Sequence, residues 1–213
     1  MKNKNIFFAF ILLAGLILFR IIYSGRMYYS FLIWNSILAI IPYILSQYAL
    51  SKNHRTTFKI MLCSLCILFL PNALYLISDF EHLVERPPIP FFFDIIVLFY
   101  AAFLGLFLNV LSLGNLRSIF LSYSREKYAN IFIGLLILLS GFGVYLGRYL
   151  RWNSWDLFTQ PKALIICCAE RIFQPHIYTY TWAVSIGYAF ILAFAYLLMN
   201  QSSLIQSKTN HEK

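Results

Sequence analysis

Six long apolar runs, separated by short polar stretches, dominate the pattern of hydrophobic and polar positions along the chain. Each is close to the ~20 residues that a helix needs to cross the ~30 Å hydrocarbon core of a bilayer. The runs are Ile6–Tyr23, Tyr29–Leu50, Ile60–Ser78, Phe91–Leu113, Ala129–Gly147 and Ile177–Met199. The pattern therefore predicts an all-α, polytopic membrane helix bundle of about six transmembrane helices, forming a single integral domain over residues 1–200.

Two further stretches differ from these runs. The segment Pro161–Gln174 is partly apolar but too short to span a bilayer, which favours an amphipathic helix lying in the membrane interface. After Met199 the chain becomes polar. We expect residues 201–213 to form a disordered cytoplasmic tail.

Composition supports the membrane class, because 61% of the residues are hydrophobic and only 12% are charged. The formal net charge is +9, but the basic residues lie in loops and tails beside the predicted spans. We therefore predict membrane lipids as partners and no nucleic acid. Basic residues are more frequent, and acids rarer, on the side that holds both termini, so the positive-inside rule predicts cytoplasmic termini.

The third apolar run carries a polar face near its outer end. On a continuous helix, Asn72, Tyr75, Asp79 and His82 fall within about 80° of one another. This face should point to the bundle interior, since lipid is a poor solvent for polar groups. Asp79 and His82 are three positions apart, so both side chains can reach one proton, ion or substrate group. The prediction assumes that the helix continues past Pro71.

The fifth apolar run ends in an unusual density of polar side chains. A GxxxG pattern at positions 143–147 predicts close approach by another helix. Arg148 and Arg151 follow, and a continuing helix would present both guanidiniums on one side, where they can hold a carboxylate or phosphate. Snorkelling to lipid phosphates is an equally open alternative. Asn153 and Asp156 add polarity that simple anchoring does not need.

Three other polar residues lie inside apolar runs. Asp94 is costly within a membrane span unless it has a cationic or metal partner, although a place in the first helical turn also favours a negative charge. For Asn35, an interhelical hydrogen bond is a better explanation than a binding role. Arg20 falls near the outer end of the first span and could snorkel to the headgroups.

These motifs permit a comparison with a known family. Leu70-Pro-Asn-Ala-x-Tyr75, then Asp79-x-x-His82, an aspartate after an aromatic run, and Tyr145-Leu-Gly-Arg-Tyr-Leu-Arg-Trp-Asn-Ser-Trp-Asp156 together resemble a bacterial membrane family catalogued as domain of unknown function 1361. The resemblance covers roughly Trp34 to Met199. It implies a multi-pass protein of the bacterial inner (cytoplasmic) membrane and carries no catalytic assignment. The family motif usually has proline where this chain has Leu74.

The main hypothesis is an outward-facing site, because these polar residues map to the outer half of the spans while the inner halves are almost purely apolar. The site would bind or process an anionic, lipid-phosphate-like substrate at the outer leaflet. Asp79, His82 and Asp94 would act as general base or hold a divalent cation as cofactor. The predicted substrate-binding residues are Arg148, Arg151, Asn153, Asp156, Asn72 and Asn35.

Two alternatives remain open at this point. The protein could be a structural or partner-binding membrane subunit, in which pairs such as Arg148–Asp79 or Arg151–Asp94 form an internal salt-bridge network. A transporter ranks lower, because the sequence shows neither a polar path to the cytoplasmic face nor internal repeats. Whether the protein is an enzyme is not decided by the sequence.

Overall fold

The computed structural model describes residues 2–51 and 54–211, and side chains within 4–51 and 54–200. All regular structure in these ranges is helical. The elements in chain order are α1 (Lys2–Ser24), α2 (Phe31–Ala49), α3 (Thr56–Ser78), a 3₁₀ helix (Asp79–His82), α4 (Phe91–Leu121), α5 (Glu126–Tyr149), α6 (Asp156–Thr159), α7 (Pro161–Phe173) and α8 (Thr179–His211).

Six of these helices, namely α1 to α5 and α8, are long and apolar enough to cross a membrane. The predicted all-α membrane bundle is therefore confirmed. α4 continues to Leu121, eight positions beyond the predicted end of its apolar run, because a helix need not stop where its hydrophobicity stops. A helix is also present at Pro161–Phe173, where the sequence predicts one.

The polar tail was predicted to be disordered, yet α8 extends to His211. Glu212 and Lys213 lie outside the described residues. Disorder of the tail in solution stays a prediction.

Helix α3 lies at the centre of the bundle and packs against α2, α4 and α5, whereas α8 packs mainly on α5 and α1 on α4. One apolar core joins α1, α2 and α4 to one side of α3. A second joins α5 and α8 to the same helix and α4. Side chains at the outer end of α3 therefore lie between α2 on one side and α5 on the other.

The contact between α3 and α5 depends on two glycines. A Cβ atom built on Gly143 would overlap the ring of Pro71, and one on Gly147 would lie 3.3 Å from Cε2 of Tyr75. The predicted use of the GxxxG pattern for close helix packing is confirmed. α3 also remains helical through Pro71, as the predicted polar face requires, so the ends of α3 and α5 lie side by side.

Candidate functional site

The end of α3 departs from the predicted geometry. The α-helix ends at Ser78, and the chain tightens into a 3₁₀ helix from Asp79 to His82. The single α-helical face therefore extends only to Ser78. Because residues three apart eclipse one another in a 3₁₀ helix, Asp79 and His82 still lie on the same side.

Both of these side chains contact one guanidinium, that of Arg148 at the end of α5. Its Nη2 donates to Oδ1 of Asp79, its Nε donates to Oγ of Ser78 at 2.8 Å, and its Nη1 lies 2.8 Å from Nε2 of His82. The guanidinium carbon also lies 4.3 Å from the centre of the Tyr75 ring. Since arginine only donates, Nε2 of His82 is the acceptor in this arrangement. Each nitrogen of the Arg148 guanidinium thus already has a partner within the protein.

The other carboxylate oxygen of Asp79 is also occupied. Nδ2 of Asn35, on α2, donates to Oδ2 of Asp79 at 2.9 Å. The interhelical hydrogen bond expected for Asn35 is confirmed. The carboxylate is completely buried, and its partners on α2 and α5 meet the requirement that a buried charge be paired and hydrogen-bonded.

Asp94 takes part in a different ion pair. Its two oxygens accept from Nε and Nη2 of Arg20 at 2.6 and 2.7 Å, and both side chains are 0% exposed. Arg20 therefore does not snorkel, because a buried carboxylate on α4 pairs with it inside the bundle. The guanidinium lies over the rings of Tyr29 and Tyr28, 4.6 and 5.4 Å from their centres.

The predicted catalytic and metal-binding set is consequently not brought together. Asp79 and His82 share Arg148, whereas Asp94 faces Arg20. The suggested pair between Arg151 and Asp94 is wrong for the same reason. Across the described ranges, no three or more His, Cys, Asp or Glu side chains are grouped so that they could hold a metal ion. A catalytic role for any of these residues stays a prediction.

Arg151 does not share a side with Arg148, because α5 ends at Tyr149. Arg151 adopts a left-handed conformation with φ of 61°, and the N–H of Trp152 returns to the carbonyl of Leu146 at 3.0 Å. The expectation of one continuing helical face is therefore wrong. The Arg151 side chain is exposed, and within the described part of the chain it makes no hydrogen bond or ion pair.

Asp156 organises the loop that follows. It accepts from the backbone N–H of Asn153 at 2.7 Å, from Nδ2 of the same residue at 3.3 Å, and from Oγ1 of Thr159 at 3.0 Å. These hydrogen bonds, that of the Asn153 backbone above all, lower the pKa of Asp156. Its contacts hold the turn into α6, which explains the residue without a substrate.

A cavity of about 510 Å³ lies beside the Asp79–Arg148 pair, between α2, α3, α5 and the segment from Trp152 to α7. Three of the predicted binding residues, Asn35, Asn72 and Asn153, converge on it. None of the described residues lining it is charged, and most are apolar. Nδ2 of Asn72 donates to Oγ of Ser154 at 3.1 Å, which ties α3 to the far wall.

The volume of this cavity and its mostly apolar lining fall within the range that is usual for small-molecule sites. Sites of a few hundred cubic ångströms with mostly apolar walls and a few polar groups are typical for small molecules. Along α3 the lining runs from Tyr75 to Ser64, about 16 Å at 1.5 Å per residue. That length is about half of the ~30 Å thickness of a hydrocarbon core.

A family model described as "Protein of unknown function (DUF1361)" matches residues 34–197. The chain belongs to the DUF1361 family. In this DUF1361 protein the match includes all three cavity asparagines and leaves Arg20 outside. No curated protein and no solved structure matches the chain. With six helices of spanning length and composition, this DUF1361 chain is a multi-pass membrane protein.

Sequence reasoning missed two contributors to this end of the molecule. Arg20 was assigned to the headgroups, although a buried Asp94 demanded a cation and Arg20 was available at similar depth. Ser154 lies between Asn153 and Trp155 in the most distinctive motif, but nothing in the sequence marks it as a contact of α3. No periodicity could indicate its bond to Asn72, since the two lie 82 positions apart.

Proposed function

We propose that this membrane protein binds an anionic, lipid-phosphate-like molecule, with the phosphate at the asparagine-lined end of the 510 Å³ cavity and the hydrocarbon along its apolar wall. One observation carries the proposal: Asn35, Asn72 and Asn153, distant in sequence, meet on a cavity whose remaining lining is mostly apolar. An amphipathic ligand matches both halves of that lining.

The donors for such a headgroup are mainly neutral. Each asparagine amide has two N–H donors, of which one already donates to Asp79, Ser154 or Asp156, so one per amide remains for a ligand. Trp152 and Trp155 also line the cavity with an indole N–H apiece. Arg151 supplies the positive charge in this proposal. It directly precedes the lining residue Trp152, is exposed, and has no partner among the described side chains that would have to be displaced.

Arg148 has a different role in the proposal. Its charge is balanced by Asp79 and its N–H groups already face Ser78, Asp79 and His82. Drawing it towards a ligand would leave Asp79 buried and unpaired, which is costly. We therefore assign Arg148 to the cavity wall rather than to the ligand.

Binding of a long-chain alkyl phosphate to the purified full-length protein tests the proposal. We expect Arg151→Gln and Asn72→Leu each to weaken binding about tenfold, the effect of losing one hydrogen bond to a charged group. Arg125→Gln is the matched control, because Arg125 is also exposed but lies at the other end of α5. The long-chain alcohol with the same hydrocarbon chain, and inorganic phosphate alone, should both bind more weakly than the alkyl phosphate. Unchanged binding in both variants would refute the assignment.

A second candidate is a structural or partner-binding subunit, favoured by the closure of both buried arginines onto aspartates. In that case the cavity is only a packing space filled by bulk lipid. Ser64→Leu, which adds apolar volume to the wall, should then leave every lipid-binding measurement unchanged. The proposed binding function predicts weaker binding of the alkyl phosphate by this variant.

A further inference from the structure

A second cavity, of about 190 Å³, lies towards the opposite end of α3, between α3, α4 and α5. Ser64 and Ile67 line this cavity and also the first one. The two spaces therefore adjoin at these side chains. Neither the candidate site nor the proposed function so far uses the second space.

The lining residues of α3 form one continuous strip. They recur every three or four positions, from Tyr75 through Ile67 and Ser64 to Thr56, which is the spacing of one helix face. From Tyr75 to Thr56 the strip is about 28 Å long at 1.5 Å per residue. The two cavities together thus match the ~30 Å thickness of the hydrocarbon core.

The chemistry of the strip is uneven along its length. All the asparagines lie in the first cavity, whereas the wall of the second is mainly Ile60, Ile119, Phe120 and Phe132. Its one charged lining residue among those described is Lys59, which belongs to the first turn of α3 and so lies at the far end. Hydrocarbon fits the second cavity, and a headgroup fits the first.

We infer that the two cavities hold one molecule, a phosphate-bearing lipid with a single hydrocarbon chain long enough to pass the bilayer midplane. The inference rests on the proposed function and names its ligand class. The phosphate lies among the asparagines, and the chain follows α3 past Ile67 and Ser64 into the second cavity. A chain confined to one leaflet would end near the midplane and leave the second cavity unused.

Photolabelling tests separately where the phosphate binds and where the end of the hydrocarbon chain lies. Two long-chain alkyl phosphates are used, one with a diazirine beside the phosphate and one with a diazirine at the chain terminus, and labelled peptides are located by mass spectrometry. We expect the first probe to label the region around Asn72 and Trp152. The second should label Ile60 on α3 and Ile119 on α4.

A variant that blocks the junction sharpens the test. Ile67→Trp should abolish terminal labelling at Ile60 and Ile119 while labelling near Asn72 by the other probe persists. Ser64→Phe is the second variant, because Ser64 is exposed and a larger side chain there does not disturb the core. Ile11→Trp, at a half-exposed position on α1, is the control and should change neither pattern.

The remaining outcomes are distinct. Terminal labelling confined to the first cavity, or unaffected by both blocking variants, overturns the inference but leaves the proposed function standing if labelling near Asn72 is retained. If neither probe labels the cavity walls more strongly than it labels the exposed surface of α1, the proposed function and the inference fail together. Equal labelling by probes with the alcohol in place of phosphate would overturn the assignment of the headgroup.

Discussion

The bundle contains two buried arginine–aspartate pairs that have the same chemistry and different surroundings. The enclosed pair, Arg20–Asp94, joins α1 to α4 and is 0% exposed on both sides. The cavity-side pair, Arg148–Asp79, joins α5 to the end of α3, and its arginine is 9% exposed. A buried ion pair is therefore not a mark of function by itself. The surroundings decide what it can do.

The enclosed pair is surrounded by aromatic rings. Tyr28 and Tyr29 lie against the guanidinium, and Nη1 of Arg20 is buried without a hydrogen-bond partner among the described atoms; the ring faces offer it cation–π contact instead. The hydroxyl of Tyr29 donates to the carbonyl of His82 at 3.3 Å. This pair has no access to a ligand.

The cavity-side pair is connected to the larger cavity through its partners. Asn35 donates to Asp79, and Tyr75 lies against Arg148, and both residues line the larger cavity. His82 is exposed on the opposite side of the guanidinium. The pair can thus hold the wall in place and be affected by what binds there.

Breaking the enclosed pair should have the largest effect on stability. Asp94→Asn leaves Arg20 charged and fully buried, and we expect a loss of about 3–5 kcal/mol in the free energy of unfolding. Thermal unfolding in detergent measures it, with Glu85→Gln in the exposed loop as the control. The double variant Arg20→Met with Asp94→Leu should recover most of the loss. A double variant as unstable as the single one would show that the charges themselves are required.

Breaking the cavity-side pair should cost less. Asp79→Asn leaves Arg148 with Ser78, His82 and some access to water, so we expect a loss of about 2 kcal/mol. The same unfolding measurement decides the order of the two pairs. Alkyl phosphate binding should fall in Asp79→Asn but not in the Asp94 variants, at temperatures where all are folded. Weaker alkyl phosphate binding in both the Asp79 and the Asp94 variants would contradict the distinction between the pairs.

The cavity-side pair also depends on the approach of α5 to α3. Gly143→Ala places a Cβ against the Pro71 ring, and we expect overpacking to cost about 1–3 kcal/mol and to weaken alkyl phosphate binding. Gly134→Ala on the same helix is the matched control, since open space surrounds that glycine, and alanine there should be neutral or stabilising by up to about 1 kcal/mol. Equal effects would mean that the close approach does not position the site.

The sequence predicts the bundle well because membrane spans are decided by length and apolarity, both of which are local properties. It also singles out Asn35 and Asn72, which stand out in apolar surroundings and which both line the larger cavity. It does not predict pairing. Asp94 had candidate cations at several positions, and only the packing of α1 on α4 selects Arg20. The left-handed turn at Arg151 was equally hidden, because the position that adopts it is an arginine rather than the glycine usual there.

Arg151 offers a test that separates binding from stability. Arg151→Gly removes the charge but suits a left-handed conformation, so we expect the free energy of unfolding to change by less than about 1 kcal/mol. Binding of the alkyl phosphate should nevertheless weaken as much as in Arg151→Gln. Circular dichroism melting and the binding assay are run on the same preparations. Wild-type affinity in Arg151→Gly would assign Arg151 to the turn and remove it from the site.

Asp156 extends the comparison to an aspartate held without an arginine. Its pKa is lowered by hydrogen bonds, so its charge contributes stability that is present above the ordinary aspartate pKa of about 3.9 and is lost as pH falls through the lower folded value. The stability difference between wild type and Asp156→Asn should therefore be small, largest near neutral pH, and absent in strong acid. A difference that stays constant with pH would mean that shape alone, rather than charge, holds the turn between Asn153 and Thr159. In that case the charge of Asp156 would not stabilise the loop beside the cavity. Arg151 would then be the one charge of this loop that we expect to respond to a bound phosphate.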